Sequence, residues 1–122
     1  MRQFEKTHAT TILAAVALAE YRFVSQAGGY AVGTAGAGGP TDSIGVSEHD
    51  AEAGDALSVV TAYSYLVEAG QAITAGAYVK PGANGVAMVG TIADNCGQAV
   101  EAASTAGELI EVRILKHVHP TS

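Results

Sequence analysis

The sequence has no tryptophan, a single cysteine, and only five tyrosines and two phenylalanines. Sugar-binding platforms rely on aromatic faces, so this scarcity counts against a glycan-binding module. A lone Cys96 excludes an intramolecular disulfide framework or a multi-thiolate metal site, and it reads as a small core residue. Basic residues are also few: Arg2, Lys6, Arg22, Lys80, Arg113 and Lys116 are scattered along a chain of formal net charge −6. Phosphate recognition needs a clustered basic face, so the composition argues against nucleic acid as a partner. The most apolar run, Ile12 to Ala19, falls short of the roughly 20 residues that cross a bilayer and lacks a signal-peptide layout. No membrane partner is expected, and the chain reads as soluble.

Groups that could carry catalysis do not converge. Ser43, Ser47, Ser58, Ser64 and Ser104 lack any G-x-S-x-G context, so no nucleophile is supported. The stretch GTAGAGGP (Gly33 to Pro40) has the glycines of a phosphate cradle but no following Lys-Ser/Thr and no helix behind it, and it reads as a surface loop. His49 lies among Glu48, Asp50 and Glu52, which a solvated acidic loop explains without a metal. His117-x-His119 could start a metal site on one side of a strand, but ahead of the closing Pro-Thr-Ser it reads as part of a terminal tail. The chain is therefore expected to be non-enzymatic, with no catalytic residue, cofactor or metal.

What the chain has in quantity is small apolar side chains. Of its 122 residues 48% are hydrophobic, 15% are charged and 15 are glycine. One domain is expected, with a thin core, because each buried methylene contributes only about 0.8 kcal/mol while each ordered residue costs about 1–2 kcal/mol. Oligomerisation is the natural remedy, a trimer first and a dimer second.

The organising signal is an internal repeat. ALAEYRFV (Ala17 to Val24) lies over AITAGAYV (Ala72 to Val79), pairing Leu18 with Ile73, Phe23 with Tyr78 and Val24 with Val79. SEHDAEAGDALSVV (Ser47 to Val60) lies over VEAASTAGELIEVR (Val100 to Arg113), pairing Glu48 with Glu101, Gly54 with Gly107, Asp55 with Glu108 and Val59 with Val112. Strands are expected near residues 10–16, 21–25, 30–33, 43–47, 55–63, 65–68, 77–80, 86–92, 97–101 and 108–116. Asn84-Gly85 is a hairpin dipeptide because both positions tolerate positive φ. In LIEVRIL, Ile110, Val112 and Ile114 alternate with Glu111 and Arg113, which gives one dry and one wet face. The fold class that follows is all-β: a small β-sandwich or barrel built from two related β units, with an extended N-terminal arm. Its parts are an arm over residues 1–9, a single β domain over 10–118 with pseudo-repeats about 17–60 and 72–113, and a tail over 119–122.

Taken in order, RFV before a glycine turn, GVSEHDAEAGDALSV, VEAGQAITAGAYVKPGANG and GQAVEAASTAGELIEVRI resemble the small bacteriophage capsid decoration, or cement, proteins. The resemblance covers most of the chain after about Thr10. It implies a non-enzymatic structural protein of the virion, made in the host cytoplasm, that binds the outer surface of the phage head as a homo-oligomer. The major capsid protein is its implied partner, and linking capsid subunits its implied role. A ligand- or glycan-binding β module stands as the alternative. Less favoured is a biotinyl- or lipoyl-like carrier domain, because Lys80, followed by Pro81, lacks the flanking residues of a modified lysine. In the N-terminal segment Arg2, Phe4, Lys6 and His8 alternate with Gln3, Glu5 and Thr7. If extended, the first four share one side and form a basic, partly aromatic contact arm for the capsid or a neighbouring subunit.

Overall fold

A computed structural model describes residues 6–31 and 42–118, in which eight strands and one 3-10 turn are the regular elements. The strands are β1 (Lys6–Leu13), β2 (Phe23–Ser25), β3 (Ser43–Ser47), β4 (Ala56–Glu68), β5 (Tyr78–Pro81), β6 (Ala87–Val89), β7 (Asn95–Ala99) and β8 (Leu109–Val118). All strand pairings between these elements are antiparallel, in the order β2-β3-β4-β8-β7-β5-β6 with β1 added on β4. They form one nearly closed, barrel-like sheet.

The long strand β4 joins two related units. Its 13 residues reach about 40 Å, further than one small sheet needs. The first half pairs with β1 and β3, and the second half pairs with β8. The expected strands 55–63 and 65–68 are thus one continuous element. β1 also begins earlier than expected, at Lys6, and ends at Leu13, leaving Ala14 to Val16 outside it.

The two units repeat each other bond for bond. Ile12 lies opposite Leu57 as Val67 lies opposite Ile110, and Thr10 opposite Val59 as Tyr65 opposite Val112. Val24 faces Gly45 as Val79 faces Gly97. Outside the strands, Leu18 and Ala51 exchange both backbone hydrogen bonds, and so do Ile73 and Ala103. The Gly54 N–H donates to the Ala14 carbonyl at 2.7 Å, and the Gly107 N–H to the Ala69 carbonyl at 2.8 Å. One expected register needs correction. Where Glu48 N–H donates to Ser58, it is Val100 N–H that donates to Glu111, so Glu48 corresponds to Val100 and His49 to Glu101. The cause is one extra residue in the turn before Gly107, compared with the turn before Gly54.

Each unit has its own core. Ala14, Leu18, Val24, Ala51, Leu57 and Val59 form one cluster, and their counterparts Ala69, Ile73, Val79, Ala103, Ile110 and Val112 belong to the other. The second cluster also takes in Phe23, Val46 and Val60 from the first unit. The adjacent pairs Phe23-Val24 and Val59-Val60 are therefore buried on both faces, one side chain lining the unit's own core and the next packing on the other unit. Cys96 is buried in the second cluster, as its size suggested.

Glycine matters where two backbones nearly touch. A Cβ on Gly45 would stand 2.1 Å from the Val60 carbonyl oxygen, and one on Gly97 2.6 Å from the Val112 Cγ1. These equivalent positions let β3 and β7 lie close against β4 and β8. The Asn84-Gly85 turn between β5 and β6 has φ of 57° and 74° at its two residues, as the hairpin chemistry requires.

Candidate functional site

Where the units meet, Arg22 Nη2 lies 3.1 Å from Glu68 Oε1, and Arg22 Nη1 donates to the Asn84 carbonyl at 3.1 Å. The Glu68 N–H donates to the Tyr21 carbonyl at 3.0 Å. The Tyr21 and Tyr65 rings sit 6.0 Å apart at this seam, within the range of favourable aromatic pairs. Nothing local in the sequence marks Arg22 and Glu68 as partners, because only the closure of the sheet brings them together.

His117 sits in β8 and is buried, with 1% of its side chain exposed. The expectation that it belongs to a terminal tail is corrected: β8 runs on to Val118 because β7 pairs along it as far as Asn95. The Ser43 N–H donates to His117 Nδ1 at 2.7 Å, which places the neutral ring's proton on Nε2. A cleft of about 250 Å³ beside it is lined by Asp42, Ser43, Ile44, Thr61, Ile114 and His117, among others. This is below the usual range of roughly 300–1,000 Å³ for ligand pockets. The imidazole ties the start of β3 to β8 and acts as a structural fastener. His119 lies outside the described residues.

His49 has a similar local task. Its Nδ1 lies 2.8 Å from the Asp50 carbonyl oxygen, and its Nε2 accepts the Ser58 N–H at 3.2 Å. The equivalent bond in the second unit runs from the Glu111 N–H to Glu101 Oε1 at 2.8 Å. A histidine and a glutamate thus do the same backbone work at matching positions. Among the described residues, no three His, Cys, Asp or Glu side chains come together as a metal site. Of the serines, Ser47 bonds Ala19 and Arg22 backbone groups, Ser58 bonds Glu48 and Ser64 bonds Glu111.

Of the N-terminal stripe, Lys6 and His8 lie in β1, opposite Tyr63 and Ala62 of the same chain. Arg2 and Phe4 lie outside the described residues, as does Gly33 to Pro40. Exposed apolar side chains gather around the end of β8. Ile92 is 75% exposed, with Val89 and Val118 about half exposed. Asn95 pairs with Val118 and its amide donates to the Thr91 and Ile92 carbonyls, at 3.0 and 3.1 Å. Leu13, at the end of β1, is 69% exposed.

None of the curated proteins compared with the chain matches it. Among solved structures, the N base of head fiber gp8.5 of bacteriophage phi29 is similar in fold, with a TM-score of 0.68 and 22% identity over 93% of this chain and 98% of that one. Residues 3–114 match the phage cement protein family. The chain accordingly belongs to the phage cement proteins, a family of phage structural proteins.

Proposed function

We propose that the protein decorates the outer surface of a phage head, where a homo-oligomer, a trimer first, sits over junctions of the major capsid protein and links its subunits. The family match over residues 3–114 is the observation that carries this reading. It acts by binding and geometry, without catalysis or cofactor. Each contact can be weak, because joining several through one rigid oligomer raises avidity by about 10² to 10⁴. A ligand that binds the assembled shell and not separated subunits stabilises it by about 2.7 kcal/mol per site at a hundredfold excess over Kd. Exposed apolar side chains such as Ile92 and Val89 suit such contacts. Arg2 and Phe4 ahead of β1, with Lys6 and His8 inside it, serve as a contact segment whose basic charge is set against an otherwise acidic protein. The working location is the virion exterior, after synthesis in the host cytoplasm.

Heating undecorated heads with and without added protein tests the stabilising role. Added protein is expected to raise the temperature of shell disruption, and an unchanged temperature at saturating protein refutes it.

A further inference from the structure

Among the described residues, the contact between the two units leaves two unmatched faces, one on each unit. Inside the chain, the row Phe23–Val46–Val60 of the first unit packs on the core of the second, which Tyr65 and Val67 line. The strand pairings carry this row onto Tyr78–Gln98–Arg113 in the second unit, where all three residues are half-buried. They carry Tyr65 and Val67 onto Thr10 and Ile12 in the first unit, where the threonine is exposed and the isoleucine half-buried. Among the described residues, the second unit thus has the donor face without an acceptor, and the first unit has the acceptor face without a donor.

A paired change of residues points to what covers them. At the internal junction, Arg22 meets Glu68 as an ion pair. The counterpart of Arg22 is Ala77, since Ser47 N–H donates to the Arg22 carbonyl as Ala99 N–H donates to that of Ala77. The counterpart of Glu68 is Leu13, since Leu13 lies opposite Ala56 as Glu68 lies opposite Leu109. Both charged positions have become apolar together. An arginine facing Leu13, or a glutamate facing Ala77, would leave a charge without a partner in such a contact. Alanine facing leucine fits, and it accounts for an exposed leucine at the end of an edge strand.

We propose that copies of this chain join head to tail, the Tyr78–Gln98–Arg113 face of one copy docking on the Thr10–Ile12 face of the next, with Leu13 at the end of that strand meeting Ala77. The contact repeats between chains the junction that joins the two units within one chain. Such a heterologous contact closes into a ring when its rotation permits. The donor face is more polar than its internal counterpart, as suits a surface shared by chains that fold separately. Arg113 Nη2 donates to Gln98 Oε1 at 2.7 Å, so the two polar side chains of the row are already held together. The proposal rests on the homo-oligomer of the preceding section but not on its capsid target.

The test is a charge exchange read by light scattering coupled to size-exclusion chromatography, with circular dichroism to confirm folding. The wild type is expected to be oligomeric at micromolar concentration. Leu13→Glu and Ala77→Arg are each expected to raise the dissociation constant at least about tenfold, since covering a leucine is worth roughly that much affinity. Leu13→Glu/Ala77→Arg together place between chains the ion pair that Arg22 and Glu68 make within one, and are expected to recover the wild-type mass. A monomeric wild type, single variants that keep their mass, or a double variant that stays dissociated overturns the proposal. Should Ala77→Arg fail to fold, a Leu13→Cys/Ala77→Cys chain treated with a bismaleimide replaces it. Links between position 13 of one copy and position 77 of another support the contact, and links between two copies of position 13 alone overturn it. Binding to heads is a separate readout, so failure of this interface and failure of the capsid reading are distinguishable.

Discussion

Arg22 and Glu68 meet across the junction of the two units, with 3.1 Å between Nη2 and Oε1, and they lie 46 residues apart in the chain. The carboxylate holds a guanidinium that is largely withdrawn from water, with 17% of the Arg22 side chain exposed. Removing Glu68 leaves that charge uncompensated. Because about a third of the Glu68 side chain reaches solvent, the full cost of breaking a buried pair must be discounted, to about 1–2 kcal/mol. Glu68→Ala is expected to lower unfolding free energy by that amount in denaturant titrations, and a loss indistinguishable from zero contradicts the junction as described.

Phe23 tests the packing of one unit on the other. It is fully buried in the core of the second unit although it belongs to the first. Phe23→Ala is expected to cost about 3–5 kcal/mol. The loss should appear as a single cooperative transition at lower denaturant, since both units share the residue's surroundings. Two separate transitions in the wild type show instead that the units fold independently.

The glycines separate two physical causes. At Gly97 an added Cβ would stand 2.6 Å from Val112 Cγ1 and 2.8 Å from the Arg113 carbonyl oxygen, whereas at Gly54 it would meet nothing within 4 Å, but φ is +91°. Gly54→Ala is expected to cost about 1–2 kcal/mol, from left-handed backbone alone. Gly97→Ala should cost more, because β7 must move off β8. Equal losses for the two variants in parallel melts count against the close approach.

Alkaline pH should loosen the fold. Burial pushes the Cys96 thiol well above its ordinary range, against a Ser43 hydrogen bond that lowers it and with the Asp94 charge raising it further. Burial likewise raises the Tyr65 phenol, helped by Glu48. A folded pKa above the unfolded one means that the native state holds its proton more tightly. The stability tied to these groups is therefore complete below the unfolded value and is lost as pH rises through the folded one. Stability is expected to fall above about pH 9, and less steeply in Cys96→Ala. A thiol-specific disulfide reagent should react with native protein only as fast as it unfolds. Immediate reaction at neutral pH contradicts the burial of Cys96.

Chelation separates binding from metal chemistry. Because His117 fastens Ser43 to β8, replacing it is expected to destabilise the fold by about 1–3 kcal/mol whatever the protein binds. Treatment with a chelator is the cleaner test. Head binding should survive it unchanged, and a tenfold loss of affinity points to a metal.

The β architecture and its twofold repetition could be read in advance because hydrophobic alternation and turn chemistry are local. LIEVRIL shows its two faces on its own, and Asn84-Gly85 marks its turn. Longer-range closure was not legible. The expected strands 55–63 and 65–68 leave a break at Ser64, yet β4 passes straight through it, exchanging partners from β1 and β3 to β8. His117 reads as tail because a histidine three residues ahead of Pro120 carries no sign of the strand that pairs with it. The one-residue slip that aligns His49 with Glu101 was hidden as well. Two glutamates align readily on paper, whereas the structure matches them by which side chain accepts a backbone N–H.

Co-sedimentation with undecorated heads of the cognate phage tests the central claim most directly. Heads and purified protein are mixed at micromolar concentration, and the pelleted fraction is followed against added protein. Saturable binding to assembled heads is expected, with far weaker binding to separated major capsid subunits. No protein pelleting with the heads contradicts the account.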